Sequence, residues 1–334
     1  MRVLACPDKF RGSLSAGEVA AAIAAAAAQV GASCVRLPLA DGGEGTLDAF
    51  GGANRTSRVT GPLGAPVEAA WRLQPDGLAV VEAAQACGLD VAGGPERNDA
   101  LRATTRGVGE LLAAAAEAGA ERVLLGVGGS ATTDGGAGAI EALATAGVRI
   151  GADLEVTVCY DVRTPFTAAA ARFAPQKGAT QAQVRDLAYR LRRMRDRIEA
   201  ETGIDLDRLP GSGAAGGLAG GLAAVGARLV SGFDAIADTT GLDGAIAEAD
   251  VIVTGEGRID ATSAEGKVVG GVIARASAVG IPALAVCGSA AVAIGVRIVD
   301  LTARFGAERA WQEPAECIRV GVVEQLRRWP WAVT

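Results

Sequence analysis

Short β-like runs alternate with alanine-rich helical stretches along almost the whole chain, and this alternation constrains the fold more than any other feature. The clearest β-like runs are residues 3–6, 34–39, 78–81, 122–125, 155–159, 251–253, 283–287 and 298–301. Strands that alternate with helices are typical of α/β proteins, in which the crossover helices pack on a parallel sheet. The sequence therefore predicts an α/β fold built on parallel strands.

Local signals mark where the helices of this pattern begin and end. Ser15 with Glu18, and Thr262 with Glu265, have the spacing of a capping box, in which each side chain bonds a backbone N–H at the start of a helix. Glycine ends helices readily because it adopts the left-handed conformation, and four of the helical stretches are followed by one. These glycines are Gly31, Gly119, Gly147 and Gly280.

A chain of 334 residues is long enough for two domains. Two predicted strands near its start and three near its end make five, the number in a flavodoxin-like sheet. We expect residues 1–60 and 240–334 to form one discontinuous domain with a flavodoxin- or Rossmann-like parallel sheet. Residues 61–239 are expected to be inserted into it as a second α/β domain.

The net charge and the lack of targeting signals indicate which binding partners and which cellular compartment to expect. The formal net charge is −6 and the isoelectric point is near 5.0, whereas nucleic-acid binding requires a basic face. The arginine-rich run at residues 185–197 is interrupted at helical spacing by apolar residues, which predicts the solvated face of an amphipathic helix. Those apolar residues are Val184, Leu187, Ala188, Leu191, Met194 and Ile198. Without a signal-peptide core, a membrane span or a Cys-x-x-Cys pair, the chain is expected to be cytoplasmic, with no nucleic-acid or membrane partner.

The chain has no histidine, which excludes a Ser-His-Asp triad, a Cys-His pair and an imidazole general base. Of its 32 basic residues only three are lysines, so 29 are arginines. Lys9, Lys177 and Lys267 all lie beside glycine-rich or acidic segments. A lysine ammonium binds phosphate or carboxylate as a compact point charge, so this placement indicates anion binding. Chance placement is the alternative in a chain so rich in such segments.

Glycines, carboxylates and hydroxyls recur at the predicted strand ends, in residues 7–13, 41–46, 126–136, 160–161 and 254–260. Ligands of open α/β sheets bind at the carboxyl ends of the strands, where backbone N–H groups hold anions and oxygen ligands hold Mg²⁺. Taken singly, these motifs are weak evidence. The glycine pattern at 126–131 lacks the acidic residue that completes a dinucleotide-binding site, and residues 266–267 lack the other residues of a P-loop. Together the segments predict an anion-binding site that can hold Mg²⁺ around phosphate groups.

Taken in order, seven segments resemble the bacterial glycerate kinase family, of the D-glycerate 2-kinase type. They are residues 7–16, 38–46, 103–110, 128–136, 174–179, 211–217, and 254–260 with 266–267. The resemblance implies a two-domain kinase with its active site in the cleft between the domains, Mg²⁺ and ATP as cofactor and donor, and D-glycerate as acceptor. The implied product is 2-phosphoglycerate, with the 3-isomer as the less favoured outcome.

The chain departs from the family pattern after Asp161. Where relatives carry Asp-x-x-Asn-Pro and then a glycine-rich stretch, this chain reads Arg163-Thr164-Pro165-Phe166 and continues into an alanine-rich run. This difference bears on the acceptor specificity and on the geometry around Asp161.

Phosphoryl transfer requires alignment, charge neutralisation and a group that accepts or orients the hydroxyl proton. Without histidine that group must be a carboxylate or solvent, and we expect Asp161 or Asp41 to be the base. Five further acids would divide metal binding and hydroxyl recognition among them. They are Asp8, Glu44, Asp134, Glu256 and Asp260. Asp134 and Asp260 are the candidate Mg²⁺ ligands, with a role as helix cap or turn residue as the alternative for both.

The expected anion-binding groups are cations and one long glycine loop. Lys9 and Lys267 are candidates for a phosphate clamp, and Arg258 for a bidentate contact with the substrate carboxylate. Residues 128–136 open a helix and are expected to bind phosphate or carboxylate at its N-terminus. The loop residues singled out for this are Gly128, Gly129, Ser130 and Thr132. Lys177 is a further candidate for binding substrate or cofactor.

Two other functions remain open at this point. One is a kinase for another small hydroxy acid, and the other is a non-catalytic protein of the same fold that binds nucleotide or organic acid. The chain is expected to be a monomer or a homodimer.

Overall fold

A computed structural model describes residues 1–264 and 267–330 of the chain. Its strands are β1 (Arg2–Ala5), β2 (Ser33–Arg36), β3 (Arg55–Thr60), β4 (Pro66–Leu73), β5 (Leu78–Glu82), β6 (Arg122–Gly126), β7 (Glu155–Tyr160), β8 (Arg228–Ser231), β9 (Val251–Ile259), β10 (Ala283–Ala290) and β11 (Arg297–Asp300).

The α-helices of the same residues vary from four to 22 residues in length. They are α1 (Ala16–Gln29), α2 (Thr46–Ala49), α3 (Ala83–Cys87), α4 (Arg106–Glu117), α5 (Ala137–Ala146), α6 (Ala169–Phe173), α7 (Gln181–Thr202), α8 (Leu218–Ala224), α9 (Gly232–Thr240), α10 (Leu242–Ala247), α11 (Val268–Ala278), α12 (Leu301–Phe305), α13 (Ala307–Gln312) and α14 (Pro314–Arg327).

The chain divides into two compact units, the first of which is formed by residues 1–41 and 233–334. Its five-stranded sheet has the order β11-β10-β9-β1-β2, and all its pairings are parallel. Renumbered within this unit the order is 2-1-3-4-5, which is that of flavodoxin-like folds. The two-domain α/β class with a flavodoxin-like sheet from the chain's two ends is confirmed.

Aliphatic side chains of the central strands form the core of the first unit. Val3 of β1 and Val253 of β9 are fully buried in one cluster with Ile23 of α1 and Val322 of α14. Strands buried between helices read as continuous apolar runs rather than as alternating ones, which is why the sequence pattern identified them.

The second unit, residues 42–232, contains a six-stranded sheet in the order β3-β4-β5-β6-β7-β8. Strands β5 to β8 pair in parallel, whereas β3 and β4 form an antiparallel hairpin that joins β5 antiparallel. The sequence analysis identified neither the hairpin nor β8. Strand β3 is the exposed edge and reads Arg-Thr-Ser-Arg-Val-Thr, so it carries too few apolar residues to show as a buried strand.

The expected start of α1 and the four expected glycine helix ends are confirmed, whereas the helix expected to begin at Thr262 begins at Val268, with Lys267 as its N-cap. Ser15 and Glu18 form a capping box, in which Glu18 N–H donates to Ser15 Oγ at 3.3 Å and Ser15 N–H donates to Glu18 Oε2 at 2.8 Å. The four glycines predicted to end helices all have positive φ, between 71° and 90°. Glu265, half of the second expected capping box, and Gly266 lie outside the described residues.

Helix α7 has the amphipathic character expected of residues 185–197. It buries Leu187, Leu191 and Ile198, while most of its arginines are exposed. All six cysteines are free thiols, five of them buried and Cys34 half-buried, so they serve as small core residues. Within residues 1–264 and 267–330, no helix has the length and apolar character needed to cross a membrane.

Candidate active site

In the sheet of the first unit, β1 lies between β2 and β9, so the strands that follow β1 in the chain are added first on one side of it and then on the other. The chain runs from β1 to β2 on one side and later returns to β9 on the other, so the carboxyl ends of β1 and β9 flank a topological switch point. Such points are where open α/β sheets bind ligands. Beyond the end of β1, Asp8 N–H donates to Gly255 O of β9 at 2.8 Å, and Cys6 O accepts from Thr254 Oγ1 of β9 at 2.9 Å. These bonds fix the two segments that carry Asp8 and Glu256.

A cavity of about 330 Å³ opens at this point. It is lined by Asp8, Lys9, Arg11, Asp41, Glu256, Gly257, Arg258, Asp260 and Lys267. Four carboxylates thus face four cations, which suits a ligand that carries several negative charges together with polar hydroxyls. We call this the switch-point cavity. It brings together seven residues that the sequence analysis had named from three separate segments.

Burial and the charges of neighbouring carboxylates keep two carboxyl groups of this cavity, those of Asp8 and Glu256, from ionising easily. Burial, more than any other cause, raises the pKa of Asp8 to about 7, and the charges of Asp41 and Glu256 raise it further. The Lys9 ammonium and the Lys9 backbone N–H, which donates to Asp8 Oδ1 at 2.7 Å, act in the opposite direction. A carboxyl group with a pKa near neutrality exchanges protons readily under physiological conditions.

Glu256 lies in a similar environment, in the second half of β9. Burial raises the pKa of its carboxyl group, although a hydrogen bond from Ser263 and the charge of Lys267 lower it. Its Oε1 atom is buried and accepts no hydrogen bond from the described residues. A buried oxygen without a donor is costly, so this atom is suited to accept a bond from a ligand.

A second group of the expected residues lies in the loop between β6 and α5 of the second unit. Lys177 is 4% exposed, and its Nζ donates to Ser130 Oγ at 3.0 Å and to Thr132 O at 2.6 Å. Asn98 Nδ2 donates to Ala131 O at 3.0 Å and to Lys177 O at 2.8 Å. Lys177 and Asn98 therefore hold residues 130–132 of this loop in place.

The buried ammonium of Lys177 is less basic than a solvated one. Burial lowers the pKa of Lys177 to about 8, and the nearby Cys87 and Asp134 only partly offset this. Desolvation disfavours the charged form because the interior solvates an ammonium less well than water does.

Asp134 lies in the same loop and is engaged by four donors. Its Oδ2 accepts from Thr105 N–H at 2.8 Å, Thr105 Oγ1 at 2.9 Å and Gly138 N–H at 3.3 Å, and its Oδ1 accepts from Gly136 N–H at 3.0 Å. These bonds tie the start of α4 to the start of α5. The arrangement is that of a helix cap, which was the alternative considered for this residue.

Close backbone packing accounts for glycine at two positions of the loop region. A Cβ atom at Gly128 would lie 2.7 Å from Gly43 Cα, and one at Gly216, which has a φ of +68°, would lie 2.0 Å from Thr132 O. Any larger residue would push these segments apart.

The remaining expected residues lie elsewhere in the second unit or in the same loop after β6. Asp161 follows β7 and is exposed, and Glu44 is exposed in the segment that packs against Gly128. Gly129 has a φ of +71° in the turn that precedes Ser130. In residues 1–264 and 267–330, no three cysteine or carboxylate side chains are grouped so as to hold a metal ion.

Sequence reasoning missed three residues that shape these sites. Arg11 lines the switch-point cavity, and its place within the motif at residues 7–16 could have indicated it. Thr105, the partner of Asp134, lies in the matched segment 103–110. Asn98 had no signal, since its contact with Ala131 joins positions 33 residues apart.

Comparisons with known proteins agree on one family. The sequence profile of the glycerate kinase family matches residues 3–150 and 145–319. The chain is 37% identical to glycerate 2-kinase of Escherichia coli over 333 residues, which cover 89% of this chain and 87% of that protein. It is 39% identical to glycerate kinase of Bacillus subtilis, with 86% and 85% covered, and 45% identical to an uncharacterized protein of Mycobacterium bovis, with 86% and 79% covered.

A solved crystal structure extends the agreement to the fold. A protein from Salmonella typhimurium LT2, provisionally named glycerate kinase 2, superposes with a TM-score of 0.84 at 34% sequence identity, and the match covers 98% of both chains. The profile spans most of the chain and the curated relatives are similar over most of their length. The chain therefore belongs to the glycerate kinase family.

Proposed function

We propose that the protein transfers the γ-phosphoryl group of ATP to the 2-hydroxyl of D-glycerate and so forms 2-phosphoglycerate. The observation that carries this proposal is the switch-point cavity, where a carboxyl group with a pKa of about 7 faces four cations. The Escherichia coli relative named glycerate 2-kinase supports the choice of the 2-hydroxyl.

In this proposal Asp8 accepts the proton of the attacking hydroxyl, with Asp41 beside it. Both Asp41 and Asp161 were expected as bases from the sequence, but Asp8 has a pKa that suits proton transfer near neutral pH. A base whose pKa lies near the ambient pH is partly ionised and still strong enough to take a proton.

The cations of the cavity have complementary parts in the proposal. Lys9 and Lys267 neutralise the phosphate oxygens as their charge redistributes during transfer. Arg258, whose planar fork suits a carboxylate, orients the acid group of glycerate, and Arg11 adds to the positive field.

The carboxylates of the cavity fit Mg²⁺ as a hard, oxygen-seeking cation. Mg²⁺ is usually held by one or two carboxylates and by substrate phosphates, and it keeps several waters. The donor-free Oε1 of Glu256 and the carboxylate of Asp260 fit this need. Both oxygens of Asp134 already accept hydrogen bonds, so we assign it to the loop. When bound, the ion would neutralise the phosphate charge.

The loop at residues 128–136 contributes a second anion-binding element in the proposal. Helix α5 begins at Ala137 and has ten residues, so its first N–H groups point toward the loop. Because Lys177 is 4% exposed and its Nζ donates to Ser130 Oγ and Thr132 O, we propose that Lys177 positions the loop rather than contacts the substrate.

A coupled ADP-release assay with ATP, Mg²⁺ and a panel of acids tests the proposal. Rapid release with D-glycerate, and a phosphorus NMR spectrum of 2-phosphoglycerate as product, is the expected result. Release with lactate or tartronate but not with D-glycerate would point to a kinase for another hydroxy acid. Ligand-dependent thermal stabilisation without ADP release would point to a non-catalytic binder.

A further inference from the structure

The second unit contains a larger cavity of about 470 Å³, which shares no residue with the switch-point cavity. It lies between α7, the start of α5 and residues 100–103. We infer that this α7 cavity is a binding site for a small organic anion with an aliphatic body, such as an acyl carboxylate. The inference does not depend on the proposed kinase reaction.

The floor of the α7 cavity is aliphatic. Leu187 and Leu191 of α7 are 2% and 1% exposed, and they lie with Leu101 and Met194 in one hydrophobic cluster. A thioether side chain adapts easily to an irregular ligand surface. The cavity volume is within the range of small-molecule sites, which are lined mostly by apolar groups with a few polar ones.

The rim of the α7 cavity is cationic. Arg190, Arg193 and Arg197 are three and four residues apart, so they lie along one face of the helix. Within the described part of the chain no carboxylate forms an ion pair with any of them, in contrast to Arg195, which pairs with Asp196 and Asp207. The charge on this rim is therefore available to an anion.

The contacts that these arginines do make hold them at the rim. Arg190 Nη1 donates to Leu101 O at 3.0 Å, and the Arg193 guanidinium lies 5.9 Å from the ring centre of Tyr189. Asp134 also lines the cavity, but its carboxylate is occupied by the four donors described above. The unsatisfied charge of the cavity is thus positive.

Thr133 supplies an independent indication of a ligand. It is 2% exposed and lines the cavity, and its Oγ1 atom has no hydrogen-bond partner among the described residues. Buried hydroxyls are nearly always hydrogen-bonded, so an unpartnered one calls for an explanation. A carboxylate oxygen in the cavity would accept its proton, while the aliphatic body covers the leucine floor.

Isothermal titration calorimetry of the full chain with octanoate tests the inference. Two control ligands each keep one feature of octanoate: acetate keeps the charge, and 1-octanol keeps the aliphatic body. We expect octanoate to bind at least about ten-fold more tightly than either, because each control loses one class of contact. If acetate bound as tightly as octanoate, the aliphatic part of the inference would be overturned. If 1-octanol bound as tightly as octanoate, the anionic part would be overturned.

Variants locate the site. Arg193→Gln and Arg197→Gln should each weaken octanoate binding about ten-fold, and Thr133→Val should weaken it without lowering the melting temperature. Arg192→Gln is the matched control, since Arg192 is exposed on the same helix but does not line the cavity. Loss of affinity in Arg192→Gln equal to that in Arg193→Gln would show only general charge attraction and overturn the site.

Ala137→Phe tests the same site by filling it. Ala137 is exposed at the start of α5 and lines the cavity, so the larger ring can enter without displacing the core. We expect it to abolish octanoate binding while the circular dichroism spectrum stays unchanged. Undiminished binding in this folded variant would contradict the assignment.

Discussion

Asp8 is only 9% exposed at the end of β1, and Asp41 and Glu256 contribute like charge around it. Its pKa is raised from the ordinary value of 3.8 to about 7, so the native state holds this proton more tightly than the unfolded chain does. The stabilisation from this group is fully present below about pH 4 and is lost as the pH rises through 7. The same property that costs stability at neutral pH makes the group a suitable proton acceptor.

We predict that Asp8→Asn reduces kcat by about 10² to 10⁴-fold, because the amide cannot accept the hydroxyl proton. The wild-type kcat/KM should rise with pH through about 7, and the variant should lose this dependence. Steady-state kinetics across the pH range measure both. Asp48→Asn, an exposed substitution on α2, is the control and should keep the wild-type kinetics. If Asp8→Asn kept the wild-type pH profile, Asp8 would not be the base.

The same substitution should stabilise the folded protein above pH 7, where the wild-type carboxylate is charged. The expected gain is about 4 kcal/mol in the free energy of unfolding, from the pKa difference. Urea unfolding at pH 8 and pH 3 measures it, since the gain should disappear when the wild-type carboxyl group is protonated in both the folded and the unfolded state.

For Lys177 the linkage has the opposite sign. Its pKa is lowered from 10.5 to about 8, so the unfolded chain binds this proton more tightly and native stability rises with pH between these values. We predict that the wild type gains stability relative to Lys177→Met as the pH rises from 8 to 10.5. The variant should also have a lower kcat with little change in KM, because the loop at residues 128–136 loses its support. A constant stability difference from pH 8 to 10.5 would exclude the lowered pKa.

At the scale of secondary-structure elements, the bonds around Asp134 join the starts of two helices. Its carboxylate accepts hydrogen bonds from Thr105 N–H, just before α4, and from Gly138 N–H in the first turn of α5. In turn, Thr105 Oγ1 accepts a hydrogen bond from Ala139 N–H of α5 at 3.1 Å. Backbone N–H groups at a helix start have no partner within the helix, so an acidic side chain there satisfies them and interacts favourably with the helix dipole.

We predict that Asp134→Asn destabilises the fold by about 1 to 3 kcal/mol, because a charged acceptor and several hydrogen bonds are weakened. The Mg²⁺ concentration needed for half-maximal turnover should stay unchanged, whereas Asp260→Asn should raise it. Urea unfolding and Mg²⁺ titration of both variants test this assignment. A large Mg²⁺ shift in Asp134→Asn without loss of stability would restore Asp134 as a metal ligand.

Helix α7 illustrates which elements a sequence predicts well. Its apolar residues recur at helical spacing over several turns, so its existence and its buried face could be predicted without tertiary information. Strand β3 gave no such signal, because its stability comes from pairing with β4 rather than from burial of its own side chains.

At the scale of the whole molecule, the two units differ in how they are assembled from the chain. The second unit takes its sheet and its main hydrophobic cluster from one continuous segment. The first unit needs both ends, because β1 lies between β2 and β9 in its sheet. The sequence-based domain boundaries and the cleft expected with them stay predictions.

We predict that a fragment of residues 42–232 folds cooperatively, whereas residues 233–334 alone do not, since they lack the strand that pairs with β9. Joining residues 233–334 to residues 1–41 through a flexible linker should restore folding of the first unit. Circular dichroism and urea unfolding of the three proteins test this. Cooperative unfolding of the isolated 233–334 fragment would contradict the dependence on β1.

The sequence by itself determined the fold class, most of the helices and central strands, and the family. These follow from local periodicity, capping residues and motif order, which are properties of neighbouring residues. Only the tertiary structure decided that Asp8 has a pKa of about 7, that Lys177 supports a loop and that Asp134 joins two helices. Burial and contacts between distant residues set those properties, because solvation and hydrogen bonding depend on what surrounds a side chain after folding.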